Sequence, residues 1–148
     1  MKTILVFGAG KSATVLIDYL KEVCTSHQWQ LIVADANLLT AQSKTNEHPL
    51  SRAVEVNVTS DEERRMLITD ALIVISLLPP HLHILVARDC VAIGRSLLTA
   101  SYIDAEIKTL EAEIKSKELL FLCEMGLDPG IDHMSAMQII NNIKGKGG

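Results

Sequence analysis

The sequence predicts an α/β fold, a doubly wound parallel sheet of about six strands with helices on both faces. Three observations carry that expectation. Short apolar runs alternate with helical patterns along the whole chain, and repeated β-α units imply parallel strands joined by right-handed crossovers. The first run, Thr3-Ile4-Leu5-Val6-Phe7, passes directly into Gly8-Ala9-Gly10-Lys11-Ser12-Ala13 and then into an amphipathic segment. That is a G-x-G-x-x-A turn between strand and helix, the dinucleotide-binding arrangement of Rossmann sheets. The second run, Leu31-Ile32-Val33-Ala34, ends in Asp35, 22 residues past Ala13.

Each small residue of the turn has a physical task. Gly8 permits the tight turn, Gly10 lets a pyrophosphate approach the backbone, and Ala13 lets the helix pack close to the strand. The helix amides and dipole then face the phosphates. A carboxylate at Asp35 can accept both hydroxyls of an adenosine ribose, and it repels a 2′-phosphate. The plainer reading is a glycine turn with a surface aspartate.

The remaining elements follow in order. Residues 53–56 read as a third strand. Ser60-Asp61-Glu62-Glu63 reads as a capping box, with Ser60 and Glu63 as the reciprocal pair. Residues 71–75 form a continuous apolar run, the mark of a strand buried on both faces. Pro79-Pro80 stops it and precedes a helix that Gly94 ends. Residues 96–99 are a fifth strand. Asp104 caps the next helix, in which Ile107, Leu110 and Ile114 share a face. Residues 119–123 are a sixth strand. The last helix carries Ile131, Met134, Met137, Ile140 and Ile143 at near-helical spacing, read as a packing face, with Asp128 as cap and Pro129 in the first turn. Residues 42–49 are polar and read as a loop. The expected domains are a dinucleotide-binding domain over residues 1–126 and a crossing segment with its first helix over 127–148. The ending Lys144-Gly145-Lys146-Gly147-Gly148 reads as a cut within a longer chain, with a flexible tail as the alternative.

Composition narrows the function classes. A chain of 148 residues suits one domain and buries about 70% of its unfolded surface, so it needs no staples. A net charge of −4 argues against a nucleic-acid partner. Five aromatic residues in all leave little for base-stacking platforms. Cys24, Cys90 and Cys123 form no C-x-x-C pair and sit in apolar segments. They read as buried thiols in a reducing compartment. With no leader before the first strand, the expected location is cytoplasmic. No apolar run approaches the ~18 residues of a membrane helix, so no membrane partner is expected.

Ligands of a doubly wound sheet bind beyond the carboxyl ends of the strands. The segments placed there include Ser76-Leu77-Leu78-Pro79, Ala100-Ser101-Tyr102 and Glu124-Met125-Gly126-Leu127-Asp128-Pro129-Gly130-Ile131-Asp132-His133. The glycine turn, "ISLLPPHLH", "TASYID" and above all "EMGLDPGIDH" resemble saccharopine dehydrogenase of the glutamate-forming type, over the whole of the chain. Dehydrogenases acting on carboxynorspermidine carry a "GFDPGVTN"-like variant, so Leu127 and Ile131-Asp132-His133 favour the saccharopine branch.

The resemblance implies an NAD(P)-dependent oxidoreductase of lysine metabolism. Its hydride moves between nicotinamide and the carbon bearing the secondary amine of saccharopine, and water splits the resulting imine into glutamate and aminoadipate semialdehyde. It implies roles position by position. Gly8, Gly10, Lys11, Ser12 and Ala13 hold the pyrophosphate, and Asp35 the ribose. Asn57 and Val58 lie near the adenine. Ser76, Leu77, Leu78 and Ala100 line the nicotinamide side. Ser101 and Tyr102 meet the substrate, and Asp128 sits by the substrate amine or the nicotinamide as the candidate catalytic group. The partners implied are saccharopine or its amino-acid products and, for the full-length enzyme, a second copy of itself. Arginines that clamp the substrate carboxylates are expected in a second domain, so this segment binds cofactor better than it catalyses. Members that use NADP carry an arginine near the end of the second strand. Here Asp35 is followed by Ala36 and Asn37, so the expected cofactor is NAD, while Lys11 keeps NADP open.

Other readings stand beside these. His81 and His83 as a metal pair fail because i and i+2 point apart on a helix, which leaves a polar pair at a helix start near the nicotinamide. Asp128, Asp132 and His133 could together hold a divalent ion, but capping and turn formation explain Asp128 without one, and no metal is expected. His133 reads as a candidate acid/base, but helix packing or hydrogen bonding to the turn is the commoner fate of such a residue. Tyr102 is either a packed core residue or a substrate contact. Two other functions remain: a carboxynorspermidine-type dehydrogenase, and a non-catalytic nucleotide-sensing regulatory domain. The latter would share the glycine turn and the acid but has no reason to carry L-D-P-G-I-D-H.

Overall fold

A computed structural model describes residues 1–147. Five of its six strands are β1 (Thr3–Phe7), β2 (Gln30–Asp35), β3 (Ser51–Glu55), β4 (Ile73–Ser76) and β5 (Ser96–Thr99). The sixth is β6 (Phe121–Leu122). They form one sheet in the order β3-β2-β1-β4-β5-β6, every pair parallel. The long helices are α1 (Thr14–His27), α2 (Leu38–Thr45), α3 (Asp61–Thr69) and α4 (His83–Ile93). Two short helices follow, α5 (Ala105–Thr109) and α6 (Glu111–Ser116), and then α7 (Ile131–Gly145). Tight 3-10 turns at Lys11–Ala13 and Pro80–Leu82 lead into α1 and α4.

Side chains alternate across the sheet with the strand period of two. Leu5, Phe7, Ile32, Ala34 and Val74 face one way and pack on Leu67, Ile68, Ile84, Val86 and Cys90 of α3 and α4. Ile4, Val6, Leu31 and Val33 face the other way, onto Ile17, Leu20, Cys24 and Ala41 of α1 and α2. The expected class, strand number and two-sided covering are all present.

Several local expectations need correction. Residues 42–45 are helical, not loop, because the Asn37 side chain accepts from the Thr40 N–H (3.0 Å) and Ala41 and Thr45 bury one face of a polar helix. The third and fourth strands begin at Ser51 and Ile73 instead of 53 and 71. Ala71 is spent on a turn, its N–H donating to the Ile68 carbonyl at 3.1 Å. The sixth strand shrinks to two residues at the sheet edge. The helix after Asp104 is capped as expected, the carboxylate accepting from the Ile107 N–H at 2.8 Å, but it breaks at Leu110. The capping box is half formed. Ser60 accepts from the Glu63 N–H (3.4 Å), while the Glu63 carboxylate takes the Asn57 N–H instead (2.8 Å). The stripe of α7 is no packing face: Ile131, Met134, Met137, Ile140 and Ile143 are all exposed. Nothing among the described residues packs on it. The three cysteines are free, but Cys123 is only half-buried. Burial raises the Cys24 thiol and pushes Cys90 up to about 12. Among the described residues no helix is long and apolar enough to cross a membrane.

A buried ionic cluster fastens α3 to α4. Arg64 and Asp89 are both 2% exposed. The Arg64 Nε donates to Asp89, its Nη1 to the Val58 carbonyl at 2.7 Å and its Nη2 to Asp61 at 2.7 Å. The second Asp89 oxygen accepts from Arg65 at 2.7 Å. Removing one member of a buried pair strands the other without water. Asp89→Ala is therefore expected to cost about 3–5 kcal/mol in urea unfolding. Arg65→Ala, at an exposed guanidinium, is expected to cost about 1 kcal/mol or less. Equal costs would show that the pair is not what holds the two helices.

Candidate functional site at the carboxyl ends of the strands

One register row crosses the sheet: Ala34, Phe7, Ser76 and Thr99 are successive partners on β2, β1, β4 and β5. The next residue on each strand, Asp35, Gly8, Leu77 and Ala100, therefore emerges on one crest. The chain winds outward to β2 and β3 on one side of β1, and to β4, β5 and β6 on the other. The connections diverge at that switch, and a crevice opens between them.

Gly8 stands at its floor. Its φ is +98°, and a Cβ there would lie 2.8 Å from the Leu77 carbonyl oxygen. Conformation and close approach both demand glycine at this place. At Gly10 the space a Cβ would fill is open. Gly10, Lys11 and Ser12 face solvent, while Ala13 is buried under α1. The turn thus offers an open backbone at the start of a 14-residue helix, the chemistry that fits a pyrophosphate.

On the β2 side, one Asp35 oxygen accepts from the Ala9 N–H (2.7 Å) and the other from the Asn37 N–H (2.9 Å). The acid expected to hold a ribose is thus already fixed against the glycine turn. A cleft of about 370 Å³ brings Asp35, Asn57 and Val58 together, with Leu78 and Leu82 as its apolar wall. The Asn57 side chain accepts from the Thr59 N–H and hydroxyl, at 3.1 and 2.7 Å.

On the β4 side, Ser12, Ser76, Leu77, Leu78, Ala100 and Ser101 line a smaller cleft of about 170 Å³. Ala100 and Ser101 also border a larger one of about 410 Å³, with Tyr102, Cys123 and Asp128. The Tyr102 hydroxyl donates to Asp128 Oδ1 (2.5 Å). That bond holds the phenol above its ordinary value, with smaller contributions from desolvation and from the charges of Asp128, Asp132 and Glu124. Tyr102 is 59% exposed, which settles its placement against the core.

Asp128 is not the cap of α7. The Asp128–Pro129 peptide is cis, and the turn closes through Gly126 N–H to Pro129 O (2.9 Å) and Ile131 N–H to Gly126 O (3.0 Å). Gly130 precedes the helix with φ +147°, where a Cβ would come within 2.2 Å of the Gly126 oxygen. Asp132 takes the Gly130 N–H instead (2.9 Å) and also pairs with His133 Nδ1 at 2.7 Å. This leaves the Asp128 carboxylate facing the cleft, and keeps the exposed His133 out of it.

His83 is the residue that sequence reasoning undervalued. It is 4% exposed yet, like Ser101, lines both β4-side clefts, with Nδ1 2.7 Å from Ser76 Oγ and Nε2 2.7 Å from Ser101 Oγ. His81 is exposed, so the two histidines are not a pair. The signal was helical spacing: His83, Ala87 and Cys90 lie on the buried face of α4. Desolvation holds the ring below the ordinary histidine value, with Asp104 opposing and His81 reinforcing.

Comparison with known proteins meets this geometry. A family model described as saccharopine dehydrogenase NADP binding domain matches residues 4–122. An alpha-aminoadipic semialdehyde synthase of Arabidopsis thaliana is 35% identical, over 94% of this chain and 15% of its own length. The saccharopine dehydrogenase [NADP(+), L-glutamate-forming] of Saccharomyces cerevisiae is 32% identical, over 99% of this chain and 32% of its own. The solved apo form of the yeast L-Glu-forming enzyme superposes with a TM-score of 0.85 at 31% identity, covering 99% of this chain and 32% of that one. The chain thus spans about a third or less of the length of these relatives. With a family model matched over residues 4–122, the chain belongs to the saccharopine dehydrogenase NADP-binding-domain family.

Proposed function

We propose that this chain is the cofactor-binding part of an oxidoreductase acting on the secondary-amine C–N bond of saccharopine, in lysine metabolism. The observation that carries the reading is the Tyr102–Asp128 pair. It opens into the cleft that shares Ala100 and Ser101 with the β4-side crevice. A bound dinucleotide would supply the hydride donor or acceptor. The protein's own work is positioning. The turn from Gly8 to Ala13 presents backbone to a pyrophosphate, and Asp35 receives the ribose with a carboxylate locked by Ala9 and Asn37. Asn57 and Val58 flank the adenine. Ser76, Leu77, Leu78 and Ala100 shape the nicotinamide side. Ser101 and Tyr102 meet the substrate, and Asp128 sits where a substrate ammonium would be held or relieved of a proton. Carboxylate clamps and a homodimer contact belong to a substrate domain beyond the 1–126 nucleotide-binding unit and the 127–148 crossing segment. A reducing compartment suits three free cysteines, which supports a cytoplasmic location, although a bovine relative is named mitochondrial.

For the cofactor we infer NAD. The yeast relative is named for NADP(+), but Asp35-Ala36-Asn37 offers an acid and no base at the ribose. Like charges a few ångströms apart repel by roughly 1–4 kcal/mol at surface-like dielectric. Calorimetric titration of the chain is expected to show NAD binding at least tenfold tighter than NADP. Asp35→Asn, which keeps an acceptor for Ala9, is expected to narrow the gap. Equal or tighter binding of NADP overturns the NAD reading.

The second test addresses Asp128. In an enzyme of the relatives' full length, Asp128→Asn is expected to melt normally, because Asp128 caps nothing, and to lose at least tenfold in kcat/KM, about 1.4 kcal/mol. Tyr102→Phe is expected to move kcat/KM in the same direction by less. Normal kinetics in both would reduce the pair to a turn contact, and nucleotide binding without turnover would favour a sensing domain.

A further inference from the structure

Buried polar atoms need partners. The Ser76 hydroxyl is 0% exposed and has one side-chain partner among the described residues, His83 Nδ1. If it only accepted, its own proton would have no acceptor. Ser76 therefore donates, and Nδ1 carries the lone pair. Desolvation keeps the ring uncharged near neutral pH against the pull of Asp104, so its single proton lies on Nε2. Nε2–H then donates to Ser101 Oγ at 2.7 Å. Thr99 Oγ1 is 3.5 Å from both ring nitrogens, at the limit of bonding, and accepts instead from the Ser101 N–H at 3.2 Å. Having accepted from His83, Ser101 Oγ has its own proton to give, and Ser101 borders both clefts.

We propose that His83 is a positioning residue: held as the Nε2–H tautomer between Ser76 and Ser101, it fixes the Ser101 hydroxyl as a hydrogen-bond donor aimed at an oxygen acceptor in the cleft. Two sources share that chemistry, the carboxamide oxygen of nicotinamide and a carboxylate of the substrate. The identity of the acceptor rests on the dinucleotide reading above, whereas the tautomer does not. The same ring ties the carboxyl end of β4 to the segment after β5. That segment carries Tyr102, the donor to Asp128, so one imidazole sets the stance of both groups that meet the substrate.

Nitrogen-15 NMR of the histidine-labelled chain at neutral pH reads the tautomer, with His83 assigned by the signal that His83→Gln removes. The expected ring is neutral and protonated on Nε2. A proton on Nδ1, or a charged ring, overturns the proposal. Affinities are then measured for NAD, for ADP-ribose and for saccharopine added to the NAD-loaded protein. Gln can place an N–H near the Nε2 position and keep the bond to Ser101, whereas Asn reaches only toward Ser76. Ser101→Ala and His83→Asn are expected to weaken the same ligand about tenfold, the size of one well-made hydrogen bond. The double variant is expected to be no weaker than either single one, and His83→Gln to restore most of the loss. Weakening of NAD with ADP-ribose unchanged assigns the acceptor to the carboxamide, and weakening of saccharopine alone assigns it to the carboxylate. Unchanged affinity for both, or strictly additive losses, overturns the proposal. If His83→Asn does not fold, the NMR result and Ser101→Ala decide. A wild-type chain that binds neither NAD nor ADP-ribose overturns the dinucleotide reading and leaves the tautomer result standing.

Discussion

β1 is buried along its whole length, from Thr3 to Phe7, on both faces. A strand in that position must be sealed by helices above and below, since its apolar side chains alternate between the two sides. The chain meets the requirement by winding outward twice from β1, first through α1 and α2 and then through α3 and α4. Right-handed crossovers on opposite sides of one strand place those helix pairs on opposite faces. They also force the loops after β1 and β4 apart at the same edge. The crevice is thus a by-product of covering the core, and the close approach of Gly8 to Leu77 marks where its two halves still touch.

Three titratable residues, Asp89, His83 and Asp35, show how this fold ties down its less exposed polar groups. Asp89 is held by two arginines, His83 by two serines, and Asp35 by two backbone N–H groups. In each case at least one partner lies on an element other than the group's own, α3 for Asp89, β4 for His83 and the turn after β1 for Asp35, so the polar group fixes one element against another as well as being satisfied itself. For Asp35 the consequence is functional. The acid that would read the ribose and the turn that would hold the phosphates are one hydrogen-bonded unit, so a shift in either moves both.

The sheet and the glycine turn were legible because their signals are local. An apolar run, a glycine at a fixed offset and an acid at the end of the next run each report a backbone requirement at their own position. Asp35, Asn57 and Val58 were legible as a group because strand ends converge in any doubly wound sheet. His83 was not, because its meaning comes from Ser76 and Ser101, which reach it only through the register of β4 and β5. Arg64 and Asp89 were hidden for the same reason: charged residues on two helices look like solvated faces until the helices are packed. Asp128 was misread as a cap because D-P-G before an apolar helix is an ordinary helix start. The contact between Gly126 and Gly130 displaces that start to Ile131, and spacing alone does not reveal such a contact. The stripe of α7 was misread because periodicity shows that a face exists, not that something covers it.

That uncovered helix has a thermodynamic consequence. A lone helix of about 12–15 residues is marginal in water, since its nucleation cost is repaid mainly by tertiary packing. α7 has 15 residues, none of them buried, and is tied to the sheet through the turn between Gly126 and Gly130. Its backbone hydrogen bonds can therefore open without disturbing the sheet, as a separate cooperative unit of low local stability. The amides of β1 and α4 would exchange with solvent only on global unfolding, while those of α7 would exchange by fraying. The Asp128 turn lies at the border between the two regimes, so whatever surface comes to rest on α7 also stiffens the ground on which Asp128 stands.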